Sequence, residues 1–460
     1  MPTHDVFRSA AGSTPLAADS LVVTGGRRLA GDTQTGGFKH SLVTVLAAAC
    51  AARAPAVITN CPAVAETGAL AGLITDLGGT ADYVAGTLTI DADGMTGGTV
   101  SDHGIHGSVY LAPALLTRSG QAAVPTGGGC RIGDDPGGRR PVEQYAAVLG
   151  RFGATVTHTD EHLLVRADRL TGCEIDLLDY TSDRARRTGP LYSGASKMAV
   201  LAAAVAHGTS VLHSPYPKPD VTDLVAVLRD FGADIDTTAQ GSLVVHGRGP
   251  DALDRPVRHE LVADLIEVVT WICAGALLAD APMRLRGANL GRALTALRPE
   301  LSALADLGVG LDRSGDELTV HPAQFLRATD VVITSPGVFS DSHPFLALLM
   351  TAARGRSTIT ETVWATRFGY HAGLEALGAR LSRHGTTITV DGPCRPSVPD
   401  RSVHAPDLRA AAALVLAALQ VPGRTVVTGT HHLRRGYPDF AGTLRALGAV
   451  IETETSEVLA

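Results

Sequence analysis

The chain has no excess of basic residues. Its 39 Lys plus Arg stand against 46 Asp plus Glu over 460 residues, a formal charge of -7, and only 18% of residues are charged. Polynucleotides and anionic membrane surfaces are met by clustered Lys and Arg, so neither partner class is expected and any anion site must be built locally. Cysteine is sparse too. Cys50, Cys61, Cys130, Cys173, Cys273 and Cys394 are scattered, with no CxxC pair, which points away from a disulfide framework and towards a reducing, cytoplasmic setting. Cys50 and Cys273 read as small core residues. Long apolar runs are also missing: Ala199 to Ala206 and Ala410 to Leu419 fall short of the ~20 residues that span a bilayer, and read as buried core helices. The opening MPTHDVFRSAAGSTPLAADS has neither the basic n-region nor the apolar h-region of a secretory signal. Residues 1–20 are expected to form a disordered tail.

What the chain does have is internal repetition. A helix ending in Leu or Phe, then glycine, a small residue and a strand recurs six times, at Gly78, Gly153, Gly232, Gly308, Gly378 and Gly448. Each glycine sits where a helix C-cap needs a left-handed residue. The stretches that follow, such as GTLTID, HLLVRA, SLVVHG, DELTVH and TTITVD, alternate with the period of a half-buried strand. Upstream of each lies a helix that is apolar nearly all round, as in SLVTVLAAACAA, SKMAVLAAAVA and VVTWICAGALLA, and such a helix must be surrounded by protein. One unit cannot bury its own faces. Three can, with helices inside and sheets outside, so six imply two similar lobes with a cleft between them: residues 39–258, and residues 21–38 with 259–460.

Polar residues gather where the apolar helices begin: Lys39 and His40, Ser193 and Ser196, Asp264 and Glu267, Asp341 and His343, Asp407 and Arg409. Helix N-termini attract anions. Ordinary N-capping accounts for Ser193, Asp341 and Asp407, but Lys39 and Arg409 oppose the helix dipole and so suggest a bound anion. Cys130 lies in TGGGCRIGDDPGGRRP, a glycine-rich stretch suited to a mobile loop, whose Arg131, Arg139 and Arg140 favour both a small anion and a thiolate. His431 and His432 are adjacent rather than helically spaced, so they do not read as a metal pair.

GGGCRIG followed by RPV, then DLIEVVT, ITETVWATRF, APDLRAAAALVLA and LRRGY, occur in the order seen in the enolpyruvyl transferases, and the chain resembles their MurA branch from about Val22 to Ile451. The resemblance implies an α/β fold, a two-lobed inside-out α/β barrel of six βαβαββ units. It implies transfer of the enolpyruvyl group of phosphoenolpyruvate to a substrate hydroxyl with release of phosphate, and no metal or organic cofactor. By position, Cys130 matches the mobile-loop thiol and Asp341 the carboxylate beside the reacting hydroxyl. Lys39 and His40 also fall in the catalytic set. Lys39, Arg140, Arg367, Arg409 and Arg435 match the residues that hold the donor; Glu143, Gln144, Ser193, Ser196 and Asp341 fall on the acceptor side.

The departures concentrate on that acceptor side. His40 stands for an asparagine, His106 and Leu265 for arginines, Glu143-Gln144 for an Asp-Leu pair, and DDPGG lengthens the cysteine loop. Each lost arginine removes a bidentate phosphate partner, which favours a smaller uridine nucleotide: the 3'-hydroxyl of UMP, as in nucleoside antibiotic pathways, ahead of UDP-N-acetylglucosamine. A non-catalytic ligand-binding paralogue is the alternative of another class. Oligomeric state is not legible in the chain.

Overall fold

The computed structural model describes residues 20–129, 132, 139–399 and 402–454. The expected tail up to residue 19, Cys130 and Arg131 lie outside them; Ser20 already begins a strand. All six marker glycines are left-handed, with φ between 89° at Gly153 and 114° at Gly232, where an L-residue would cost about 1–2 kcal/mol. Each closes its helix with the same two hydrogen bonds. Gly78 N donates to Thr75 O at 3.0 Å and Gly79 N to Ile74 O at 2.9 Å; the last unit repeats this with Gly448 to Arg445 and Ala449 to Leu444, both 2.9 Å.

The described strands form six sheets, five of four strands and one of five. In the unit around Gly153, Gln121–Pro125 runs parallel to Gly98–Thr99 and antiparallel to His162–Arg166, which pairs in turn with Thr155–His158. Alternation sets the faces: in Thr87–Asp91, Leu88 and Ile90 are buried while Thr89 and Asp91 are exposed. The apolar helices are sealed all round. In Leu265–Leu278 every residue but Leu277 is buried, which explains a sequence with no polar stripe.

Two separate cores result. One gathers helices Lys39–Ala51, Ala112–Ser119 and Leu191–Val205; the other gathers Leu265–Leu278, His343–Ala352 and Leu408–Gln420. Short strands beside the two chain crossings complete a sheet in each lobe. Asp32–Gln34, which leads into the first lobe, pairs with Met283–Arg286 of the second, and Val257–Glu260, which leads into the second, pairs with Ala56–Thr59 of the first. Val257–Glu260 thus completes a first-lobe sheet, and Leu261 N donates to Thr59 O at 3.1 Å.

The two chain crossings run side by side. Phe38 N donates to Val262 O at 2.8 Å, and Gly37 bridges Ala263. A Cβ on Gly37 would stand 1.9 Å from the Asn60 carbonyl oxygen, so the approach needs glycine. Asp264 caps helix Leu265–Leu278 by accepting from Ile266 N and Glu267 N at 2.8 and 3.0 Å, and also accepts from Lys39 N at 3.2 Å. One carboxylate thus fixes the first turn of a core helix in each lobe.

Candidate active site

Between the lobes lies a cavity of about 210 Å³, lined from the first lobe by His40, His106, Tyr110, Arg140, Gln144, Tyr145, Ser193, Lys197 and Asp220, and from the second by Asp341, Trp364, Arg367, Arg409 and Arg435. Its second-lobe wall is assembled by the segment ETVWATRF. Glu361 accepts from Ser340 Oγ at 2.7 Å and from Val363 N and Trp364 N at 2.8 and 3.1 Å, while His343 Nδ1 stands 3.3 Å from the same carboxylate. That network pins the turn carrying Asp341 to the loop carrying Arg367. Arg367 Nη2 then pairs with Asp341 Oδ1, and Arg409 Nε with Asp341 Oδ2 at 3.0 Å.

Burial alone would raise the Asp341 pKa, but the two guanidiniums outweigh it and hold the carboxyl well below the usual range. A second carboxylate plays the same part nearby. Glu66 Oε1 takes Lys39 Nζ at 3.4 Å and Arg435 Nε at 3.0 Å, and Lys39 Nζ also donates to the Arg435 carbonyl at 2.7 Å. Five cations thus converge on the cleft, Arg367, Arg409 and Arg435 from the second lobe and Lys39 and Arg140 from the first, the Arg140 guanidinium 5.9 Å from the Trp364 ring centre.

The first-lobe wall is different in kind. His106 Nε2 meets Tyr145 Oη at 3.1 Å, which meets Tyr110 Oη at 3.2 Å. Burial pushes both imidazoles down, His106 and His40 alike to about 3, so both are neutral. Several polar atoms around the cleft are buried without a hydrogen-bond partner among the described residues: Glu66 Oε2, His106 Nδ1, Arg140 Nε, Gln144 Oε1, Asp220 Oδ1 and Arg409 Nη1. Each such atom carries a desolvation penalty of about 1–3 kcal/mol, which a polar ligand in the cavity would relieve. No cluster of three His, Cys, Asp or Glu side chains among the described residues is placed to hold a metal ion.

Two guanidiniums on one carboxylate at the mouth of such a cavity, on six repeated units, form a pattern specific enough to compare. A model of the EPSP synthase family (3-phosphoshikimate 1-carboxyvinyltransferase) matches residues 23–444. The chain belongs to this enolpyruvyl transferase family. Its relatives include UDP-N-acetylglucosamine 1-carboxyvinyltransferase 2 of Listeria monocytogenes serotype 4b, 30% identical over 94% of this chain and 97% of its own. The UDP-N-acetylglucosamine 1-carboxyvinyltransferase of Mycolicibacterium paratuberculosis is 31% identical, over 95% of this chain and 99% of its own. The crystal structure of the enolpyruvyl transferase NikO from Streptomyces tendae matches with a TM-score of 0.90 at 48% identity, over 95% of this chain and 100% of that one. EPSP synthase of Acinetobacter baumannii, 18% identical with a TM-score of 0.71 over 95% of this chain and 100% of its own, shares the fold.

In this enolpyruvyl transferase the cleft brings together Lys39, His40, Arg140, Gln144, Ser193, Asp341, Arg367, Arg409 and Arg435. Three expectations need correction. Ser196 lies inside helix Leu191–Val205, fully buried, and accepts from Tyr216 N at 3.2 Å, so it holds a loop and does not line the cleft. Glu143 is exposed and turns back on Val142 N at 2.9 Å. The cations at helix starts are answered by Asp341 and Glu66 rather than requiring a ligand. Leu265, where the resemblance places an arginine, is sealed in the core. Asp407 is a plain N-cap, accepting from Arg409 N and Ala410 N.

Cys50, Cys61 and Cys273 are buried and their thiols pushed up, Cys50 and Cys61 to about 12, which removes them as nucleophiles. Sequence reasoning passed over Glu66, Lys197 and Asp220. Glu66 and Asp220 look like ordinary first-turn acids. Lys197 did leave a signal, as a lysine inside the otherwise apolar run SKMAVLAAAVA, because a lysine in a buried helix needs a partner.

Proposed function

We propose that this enolpyruvyl transferase moves the enolpyruvyl group of phosphoenolpyruvate onto the 3'-hydroxyl of UMP and releases inorganic phosphate, each lobe being an inside-out α/β barrel. The observation that carries the reading is the asymmetry of the cleft. Lys39, Arg140, Arg367, Arg409 and Arg435, the cations assigned to the donor, all line it, while the acceptor side offers neutral His106 where the resemblance to UDP-sugar enzymes leads one to expect an arginine. The likeness to NikO supports the same branch.

On this reading the donor's phosphate and carboxylate share the guanidiniums that hold Asp341. Sharing weakens the Arg–Asp pairs and raises the proton affinity of Asp341, so the carboxylate becomes a competent base once the donor is bound. The acceptor hydroxyl adds to carbon 2 and gives its proton to Asp341. Carbon 3 takes a proton from Cys130 on the glycine-rich loop, giving a tetrahedral phospho-ketal. Carbon 3 then returns a proton to the Cys130 thiolate, the bond from carbon 2 to the phosphate oxygen breaks, and phosphate leaves with the proton that Asp341 had taken. The fixed arginines stabilise the charge throughout.

The second reading, UDP-N-acetylglucosamine as acceptor, is favoured by the relatives near 30% identity. An acceptor screen at fixed phosphoenolpyruvate, read as phosphate release, separates them: turnover with UMP well above that with UDP-N-acetylglucosamine is expected. Preference for the UDP-sugar overturns the UMP assignment, and no turnover with any uridine nucleotide favours the binding paralogue.

A further inference from the structure

Lys197 belongs to the first lobe's core helix Leu191–Val205 and lines the cleft. Its side chain is 13% exposed, and its ammonium lies 2.8 Å from Asp220 Oδ2 and 5.4 Å from the centre of the Tyr110 ring. Asp220 is buried and also takes Ser193 Oγ at 3.3 Å. Burial opposes its ionisation, but Lys197 reverses that and keeps its pKa low. An ion pair between a lysine in the middle of an apolar helix and a buried aspartate at the start of another is expensive to desolvate and contributes little to stability over a well-packed hydrophobic pair, so packing alone does not account for it.

The surroundings point to an anion. Lys197 shares this wall with His106, whose Nδ1 is unpartnered, and with Gln144, 3% exposed, whose Oε1 is unpartnered. His106 is neutral, so among the described first-lobe residues lining the cavity Lys197, Lys39 and Arg140 carry the positive charge. Lys39 is committed to Glu66 and the Arg435 carbonyl, and Arg140 faces Trp364 of the second lobe. Lys197, its ammonium directed by Asp220, is the cation that lies on the same wall as the unpartnered atoms of His106 and Gln144.

We propose that Lys197 is a specificity-determining residue that contacts the phosphate group of the acceptor nucleotide, with Asp220 and Tyr110 fixing the direction of its ammonium. This rests on the nucleotide-acceptor reading above. A phosphate oxygen takes one of the ammonium protons left free by Asp220, and the nucleotide is then oriented with its hydroxyl towards Asp341 on the opposite wall. The acceptor is thus selected by a single flexible point charge, where an arginine would impose a bidentate geometry.

The test compares a phosphorylated acceptor with its dephosphorylated counterpart, UMP with uridine, in the wild type and in Lys197→Met. In the variant, kcat/KM for UMP should fall about tenfold or more, a charge-assisted hydrogen bond lost, mainly through KM, while that for uridine changes less than about twofold. Lys197→Arg should recover part of the UMP term. An equal loss for UMP and uridine, or a loss confined to the KM for phosphoenolpyruvate, overturns the proposal. Unchanged phosphoenolpyruvate binding and an unchanged thermal midpoint verify that the variant is folded. If the wild type turns over neither compound, the functional reading fails by itself; calorimetric titration of UMP and uridine then decides Lys197 by the same ratio.

Discussion

The two walls of the cleft solve the same problem differently. The second-lobe wall holds its cations in pairs around a carboxylate, Arg367 and Arg409 on Asp341, while Arg435 reaches across to join Lys39 on Glu66. The first-lobe wall sets phenol, imidazole and amide groups from Tyr110, Tyr145, His106 and Gln144 among its cations Lys39, Arg140 and Lys197, the last paired with Asp220. Pre-paired cations are oriented before a ligand arrives and lose little freedom when it binds. A wall of neutral polar groups instead discriminates by which hydrogen bonds it leaves unmade.

The comparison breaks most sharply at Asp341. Asp341→Asn keeps the shape between the two arginines but removes the base and the counter-charge. Phosphate release should fall about a hundredfold or more, within the 10²–10⁴ range of general acid–base groups, while phosphoenolpyruvate binding is retained or tightened because two guanidiniums are freed. A variant with near wild-type kcat would remove Asp341 from the chemistry. Glu66→Gln probes the other pair at smaller scale. Glu66 competes with the donor for Lys39 and Arg435, so the KM for phosphoenolpyruvate should drop about two- to fivefold, the size of a partly exposed ion pair, with kcat little changed. A rise in that KM would mean that Glu66 positions the cations rather than competing for them.

The fold was legible because its signals are local and repeated. Six glycines at helix ends and six all-apolar helices are enough to read the units, since a C-cap and a hydrophobic period depend on neighbours in the chain. The pairings of Asp32–Gln34 with Met283–Arg286 and of Val257–Glu260 with Ala56–Thr59 were not legible, because strand pairing between residues about 250 and about 200 apart leaves no local mark. In the site, Asp341 and the arginines stood out through motif order. Ser196 misled because a serine near a helix start looks alike whether it faces a ligand or Tyr216 N, and only tertiary packing tells which. Glu66 and Asp220 were invisible for the converse reason: their partners, Arg435 and Lys197, are set by the fold and not by spacing along the chain.

The smallest expected effect lies at the crossing beneath the cleft, where carboxylates meet with fewer cations. Burial, then the neighbouring Asp264, pushes Glu267 up to about 8, while Glu267 Oε2 accepts from Gly36 N at 3.0 Å. The folded protein therefore keeps a proton that the unfolded chain gives up above about 4.5. The folded state binds more protons across that interval, so this group's contribution to stability falls as pH rises from about 4.5 to about 8 and is level beyond. Glu267→Gln preserves an oxygen for Gly36 N and cannot ionise. Its thermal midpoint should be less dependent on pH over that window, overtaking the wild type by a few degrees near pH 8, with turnover at the cleft largely unchanged. Parallel midpoint curves for the two proteins would show that Glu267 is ionised in the fold. The crossing would then be stabilised as the walls of the cleft are, by fixed charge rather than by a retained proton.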